Sequence, residues 1–343
     1  MKNFKIEKDP ELDNLLAKCK EKGLKFGLAL GSGSARGMAH IGVIQVLEAY
    51  HIPIDMIAGT SIGSVVGSVY ATGASVKQMK EAALAMKRSK TISLMVPTLP
   101  YSGLISGNRA EEILNKIALK DKTFDDLEIP FAAVATDIKT GAKVILNQGS
   151  VIKAVRASIS IPGIFTPVKY QDYYLVDGGL VDPVPVDVVE KMGADIIIAV
   201  SLTEKTPKPI IMMLNKETGD LKEVEDSFTF KINIKEIPKF KTVEKITFLV
   251  EKEITSLGKK IKGVKKKLEG PHIIEVISKS VDIMEKEITY RGLDKADVVI
   301  VPFGNEGIGL FEFDKADVTI RGGIDAALAK IPQIKEAIKE KIK

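Results

Sequence analysis

The pentapeptide Gly59-Thr60-Ser61-Ile62-Gly63 constrains this chain more than any other stretch. It lies between an apolar run, Ile54 to Ala58, that reads as a strand and a small-residue run, Ser64 to Ala71, that reads as a helix. Gly-x-Ser-x-Gly between a strand and a helix marks a nucleophile elbow, a turn so tight that a Cβ at either glycine would clash. The turn lifts a serine hydroxyl clear of a sheet and aims it at a helix N-terminus. The same five-residue pattern also arises by chance in glycine-rich loops, so its surroundings decide.

Those surroundings alternate strand and helix over the first two-thirds of the chain. Residues 10–22 read as a polar-faced helix and Phe26 to Leu30 as a buried strand. A glycine-rich loop at 31–37 then opens a helix through Ile41, Ile44, Val46 and Leu47. After the elbow, helices are expected at about 75–87 and 108–118, followed by strands at 131–136 and 143–147 around a turn at Thr140-Gly141. A helix at 151–158, a strand at 173–176, a helix at 186–192 and a strand at 195–201 complete the series. Repeated units of this kind imply an α/β fold with a mostly parallel sheet covered on both faces. The uninterrupted apolar run IIIAV at 196–200 suits such a doubly covered strand.

The pattern breaks between 205 and 270. Residues 231–270 hold twelve lysines against five glutamates, more than the whole formal charge of +5. Within them Val243, Ile246, Val250, Ile254, Leu257, Ile261, Val264 and Leu268 recur at steps of three or four, the stripe of an amphipathic helix. Helix and strand signals resume at 272–291 and 296–302. We therefore expect one domain over 1–343, with its core at about 25–204 and 271–330 and a basic insertion at 205–270. The single cysteine, Cys19, rules out an internal disulfide and fits a reducing compartment. The charged N-terminal stretch does not read as a signal peptide, and no run is apolar enough to span a membrane. A cytoplasmic protein is expected.

A serine that attacks an ester needs an oxyanion site and a base. The backbone amides of the 31–37 loop can converge on a negative oxygen at the start of a helix, and Arg36 can hold the loop or meet an anionic group. The loop half resembles a dinucleotide fingerprint, but Arg36 stands where its third glycine belongs, and Gly59 opens the elbow where the acidic residue should follow. Of the three histidines, His40 falls early in a helix, His51 in a polar connection and His272 at a helix start. None sits on a short loop after a late strand, where a triad histidine belongs. Asp177 ends a strand and precedes Gly178-Gly179, which lets substrate or backbone approach, although Asp-Gly is also a common turn.

Taken in order, GSGSARGMAHIGV (31–43), GTSIGS (59–64) and VDGGLVDPVP (176–185) resemble the bacterial patatin-like phospholipases. The resemblance runs from about 25 to 202 and resumes at 272–328, where ADVVIVPFGNEGIGLFEF and an alanine-rich helix look like the closing segment of that family. It implies a three-layer α/β/α fold and a Ser-Asp dyad of Ser61 and Asp177 that works without a histidine. It places the oxyanion hole at the Ser32, Gly33 and Ser34 amides, with Arg36 in the basic position. Gly37, Gly59, Gly63, Gly178 and Gly179 support the three motifs. It implies hydrolysis of phospholipid, lysophospholipid or simpler acyl esters, with no cofactor and no metal. The chain departs from the family in having Ser32-Gly33-Ser34 where Gly-Gly-Gly is usual, a change that leaves the amides in place.

Two other readings stand beside this one. The same elbow would serve a Ser-His-Asp esterase, and the fold would serve a non-catalytic lipid-binding protein, although a binding module has no need of a strained elbow. The stripe at 241–268 fits either a helix packed on the body or one lying on an anionic membrane, where it would act as a lid or an anchor at the inner face. It also leaves room for a homodimer. Nucleic acid is not an expected partner, because the lysines lack interleaved aromatics and arginines.

Overall fold

The computed structural model describes residues 8–86, 112, 115–203, 211–214, 221–224, 273–304, 307–309 and 311–343. The chain divides into two compact units, Met1–Thr206 with Ile273–Lys343, and Pro207–His272. Strands follow in chain order as β1 (Phe26–Leu30), β2 (Met56–Thr60), β3 (Phe131–Asp137), β4 (Lys143–Leu146), β5 (Val168–Tyr170), β6 (Tyr173–Asp177), β7 (Ile196–Val200), β8 (Ile211–Leu214), β9 (Leu221–Val224) and β10 (Val298–Ile300). The larger unit holds an eight-stranded sheet in the order β10-β7-β1-β2-β3-β6-β5, with β4 also paired to β3. From β10 to β3 every pairing is parallel, and β4, β5 and β6 join antiparallel. In the smaller unit β8 and β9 pair antiparallel. The helix expected at 241–268 lies outside the described residues, as does most of the one at 108–118, of which Asn115–Leu119 forms a single wide turn.

The helices are α1 (Pro10–Glu21), α2 (Ala39–Ala49), α3 (Ile62–Ala71), α4 (Val76–Leu84), α5 (Val151–Ser158), α6 (Val186–Lys191), α7 (Ile273–Gly292) and α8 (Ala316–Ile342). Side chains alternate across a strand, and here both faces are apolar, which requires cover on each. Phe26, Leu28 and Leu30 of β1 and Ile196, Ile198 and Val200 of β7 join a core with residues of α1, α2, α3, α5 and α8. Ala29, Ala58, Val134, Ile197 and Ala199 turn the other way, toward Val186, Val188 and Val189 of α6. The result is a three-layer α/β/α architecture on a mostly parallel sheet. Among the described residues, no helix is long and apolar enough to cross a membrane.

Candidate active site

Ser61 and Asp177, 116 residues apart, meet because of how three strands share one edge. Ala133 and Val134 of β3 pair with both β2 and β4, while Ala135 and Thr136 pair with both β4 and β6. A strand has two edges, so β2 and β6 lie end to end along the edge opposite β4. The parallel strand β2 stops with Thr60 against Val134, and the antiparallel β6 arrives from the other direction to stop with Asp177 against Ala135. Their C-terminal ends face each other. The Ser61 hydroxyl donates to Asp177 Oδ2 at 2.6 Å.

The elbow has the geometry its glycines imply. Ser61 sits at φ 54°, ψ −122°, a conformation that strains a residue with a side chain. A Cβ at Gly63 would overlap the Leu30 carbonyl, and one at Gly59 would lie 2.5 Å from the Gly63 carbonyl oxygen. The strain is held from three sides. The Ser61 amide donates to Ser158 Oγ at 2.9 Å, the Ser61 carbonyl accepts from the Ser64 hydroxyl at 2.6 Å, and the Thr60 hydroxyl donates to the Asp182 carbonyl at 2.8 Å.

Asp177 is almost completely buried. Its Oδ1 accepts from the Gly179 amide at 2.8 Å, and its own amide donates to the Ser160 carbonyl at 2.9 Å. Burial raises its pKa from 3.8 to about 6, against the opposing pull of the Ser61 and Gly179 hydrogen bonds. A carboxyl shifted in that direction can exchange a proton closer to neutral pH than a solvated aspartate can.

The glycine loop approaches from β1. The Ser32 amide donates to the Pro183 carbonyl at 2.8 Å, so of the three amides expected at the oxyanion site, Ser32 is already committed. Gly33 at φ 152° and Ser34 at φ 51° carry the turn that precedes the 3-10 helix Ser34–Met38. Their amides enter no backbone hydrogen bond among the described residues. One segment therefore organises all three motifs: within 176–185, Asp177 binds Ser61, the Asp182 carbonyl binds Thr60 and the Pro183 carbonyl binds Ser32.

His40 is fully buried with Nε2 2.8 Å from the Gly31 carbonyl, and burial lowers its pKa to about 4. It braces the glycine loop rather than Ser61. His51 is an exposed turn residue at φ 55°, and His272 lies outside the described residues.

Helix α7 closes the far side of the cleft and brings residues that no motif announced. Arg36 Nη2 pairs with Asp282 at 2.5 Å while its Nε donates to the Gly33 carbonyl at 3.3 Å. The Ser32 hydroxyl donates to Glu285 Oε1 at 2.9 Å, and Glu285 is buried. Burial first, then the Asp177 and Asp282 charges, raise the Glu285 pKa to about 8 against the pull of the Ser32 hydrogen bond and the Arg36 charge, a shift that favours the protonated carboxyl. The cleft is lined by Ser32, Gly33, Ser34, Arg36, Ser61, Ile161, Asp177, Val281, Asp282 and Glu285. Ser158 was equally illegible in the sequence, as was the buried Arg156 that meets Ser160 Oγ at 2.5 Å.

Fold and site together define a class: an α/β protein that presents a strained serine at a strand–helix turn, hydrogen-bonded to a buried carboxyl. Residues 28–189 match the family model described as patatin-like phospholipase. That stretch, just under half of the chain, is similar to the patatin-like phospholipases. It is 39% identical over 187 residues to an uncharacterized NTE family protein of Mycobacterium tuberculosis, covering 54% of this chain and 51% of that one. It is 34% identical over 186 residues to the patatin-like phospholipase domain-containing protein 6 of Homo sapiens, covering 52% of this chain and 13% of that one. The chain thus spans about half the length of the mycobacterial relative and far less of the human one.

Proposed function

We propose that this chain is a serine acyl-ester hydrolase acting on lipid esters, of phospholipase A, lysophospholipase or carboxylesterase type, through a Ser61-Asp177 dyad. The observation that carries the reading is the 2.6 Å hydrogen bond from the Ser61 hydroxyl to a buried carboxylate, at a serine with φ 54°. The similarity to the patatin-like phospholipases and the names of the relatives support the lipid-ester substrate class. Asp177 takes the hydroxyl proton as Ser61 Oγ attacks the ester carbonyl. The Gly33 and Ser34 amides receive the oxyanion, the leaving alcohol takes the proton back from Asp177, and water then hydrolyses the acyl-enzyme with the same carboxylate as base. Against the Ser-His-Asp alternative, His40 is bonded to the glycine loop and burial disfavours its charged form.

The experiment is turnover of a chromogenic acyl ester by the wild type, Ser61→Ala and a His51→Ala/His272→Ala double variant. Ser61→Ala should lose turnover, and the double histidine variant should keep most of it. Wild-type turnover by Ser61→Ala would end the proposal, and loss in the histidine variant would favour the triad. A lipid-binding protein without catalysis would show no turnover in any of them.

A further inference from the structure

Glu285 is a buried carboxyl that the dyad chemistry leaves unused. It reaches from α7 onto the glycine loop, where Ser32 Oγ donates to it at 2.9 Å. A Cβ on Gly179 would overlap Glu285 Oε1 and would lie 3.2 Å from Asp177 Oδ1, so the two carboxyls border the same point. The titratable and charged groups facing Glu285 are Arg36 from the glycine loop, Asp177 from the end of β6 and Asp282 one turn earlier on α7. Arg36 is paired with Asp282 at 2.5 Å, and Lys286 lies 3.9 Å from the other oxygen of Asp282. The nearby positive charge is directed at Asp282, while Asp177 and Asp282 both repel an ionised Glu285. A neutral acid suits this position, and a second carboxylate does not. Burial and the two acids push its pKa up to about 8, in the same direction, while the Ser32 hydrogen bond and the Arg36 charge oppose them in part.

We propose that Glu285 is a positioning residue of the hydrolytic site: as a neutral acid it holds Ser32, and with it the Gly33 and Ser34 amides, and its ionisation shuts the site down. The proposal rests on the Ser61-Asp177 reading. Ionisation releases one proton to solvent and makes or breaks no other bond. The new carboxylate stands beside both Asp177 and the loop that must accept an oxyanion, and like charge there opposes the transition state that donors are placed to stabilise. The carboxyl acts through the loop and through its charge, without touching the ester.

The test is a pair of pH profiles from 5 to 9.5: phosphonylation of Ser61 by a fluorophosphonate probe, read by intact mass, and hydrolysis of an uncharged acyl ester. In the wild type both should fall about tenfold per pH unit once Glu285 ionises. Glu285→Gln cannot ionise, so its profile should lack the alkaline fall, whatever its rate at pH 7. Asp282→Asn removes one repelling acid and frees Arg36, so it should move the fall to lower pH. A purely structural glutamate would alter rates without moving these limbs. An unchanged alkaline fall in Glu285→Gln, or its absence in the wild type, would overturn the proposal. If Glu285→Gln does not fold, Asp282→Asn decides, and a fall that stays in place or moves upward is the refuting result. A wild type labelled at Ser61 with a flat alkaline limb defeats only the role of Glu285. A wild type neither labelled nor active at any pH defeats the hydrolase reading and this inference with it.

Discussion

Replacing Asp177 with Asn should destroy activity and stabilise the fold, and the gain in stability should depend on pH. The folded-state pKa of Asp177 is raised from 3.8 to about 6, chiefly by burial. As pH rises past 3.8 the unfolded chain releases the proton first, so between 3.8 and about 6 the unfolded state holds fewer protons than the folded one. Stability therefore falls with pH across that window and stays lower above it. The difference between the two values corresponds to about 3 kcal/mol of folding free energy at neutral pH. Asn has the same shape, can still accept from the Gly179 amide, and can face Ser61 Oγ with its amide group. It removes the buried charge without leaving a hole. Urea unfolding of the wild type and Asp177→Asn at pH 4 and pH 7.5 measures the effect. The two should match closely at pH 4, and the variant should be more stable by about 3 kcal/mol at pH 7.5, or several degrees in Tm. A variant that is no more stable at pH 7.5, or whose advantage is the same at both pH values, would refute the claim that the dyad carboxylate is held against its own desolvation.

Two further outcomes follow from the same framework. Ser158→Ala removes the acceptor for the Ser61 amide at a fully buried position, which should cost about 1–3 kcal/mol of stability and lower kcat through a loosened elbow, checked by thermal melting and ester turnover. Flotation with vesicles of anionic and of zwitterionic lipid tests the basic segment at 241–268: binding should require anionic lipid and be lost on deleting the segment, and binding that survives the deletion would remove its membrane role.

Much of the fold was readable because each strand from β1 to β3, and β7, is an apolar run closed by glycine or polar residues. The β3-β4 hairpin could be read from Thr140-Gly141, with Gly141 at φ 71° where a side chain would be strained. What pattern did not convey is direction and register. Nothing in Tyr173–Asp177 shows that β6 runs antiparallel, yet that reversal is what brings Asp177 to the end of β2. The Ser61–Asp177 contact was legible only as a pair of motifs, because the sequence contains the two ends and not the edge of β3 on which they meet.

The unread half of the site has a common physical origin. Ser158 and Glu285 act through single hydrogen bonds made by side chains of ordinary type. Glu285 lies in an α7 stretch that also holds Lys279, Asp282, Lys286 and Glu287, where one more acid resembles a solvated helix face. Its burial comes from where α7 is placed, against the glycine loop and the Gly178-Gly179 turn, and no local spacing encodes that placement. A motif is readable where backbone geometry demands glycine or serine at fixed intervals, as at Gly59, Ser61 and Gly63. A buried carboxyl such as Glu285 faces no such demand, since several positions on any helix crossing the cleft could supply one. Residues of that second kind are found only after the fold has shown which helix covers Ser61 and which acid on it has lost its water.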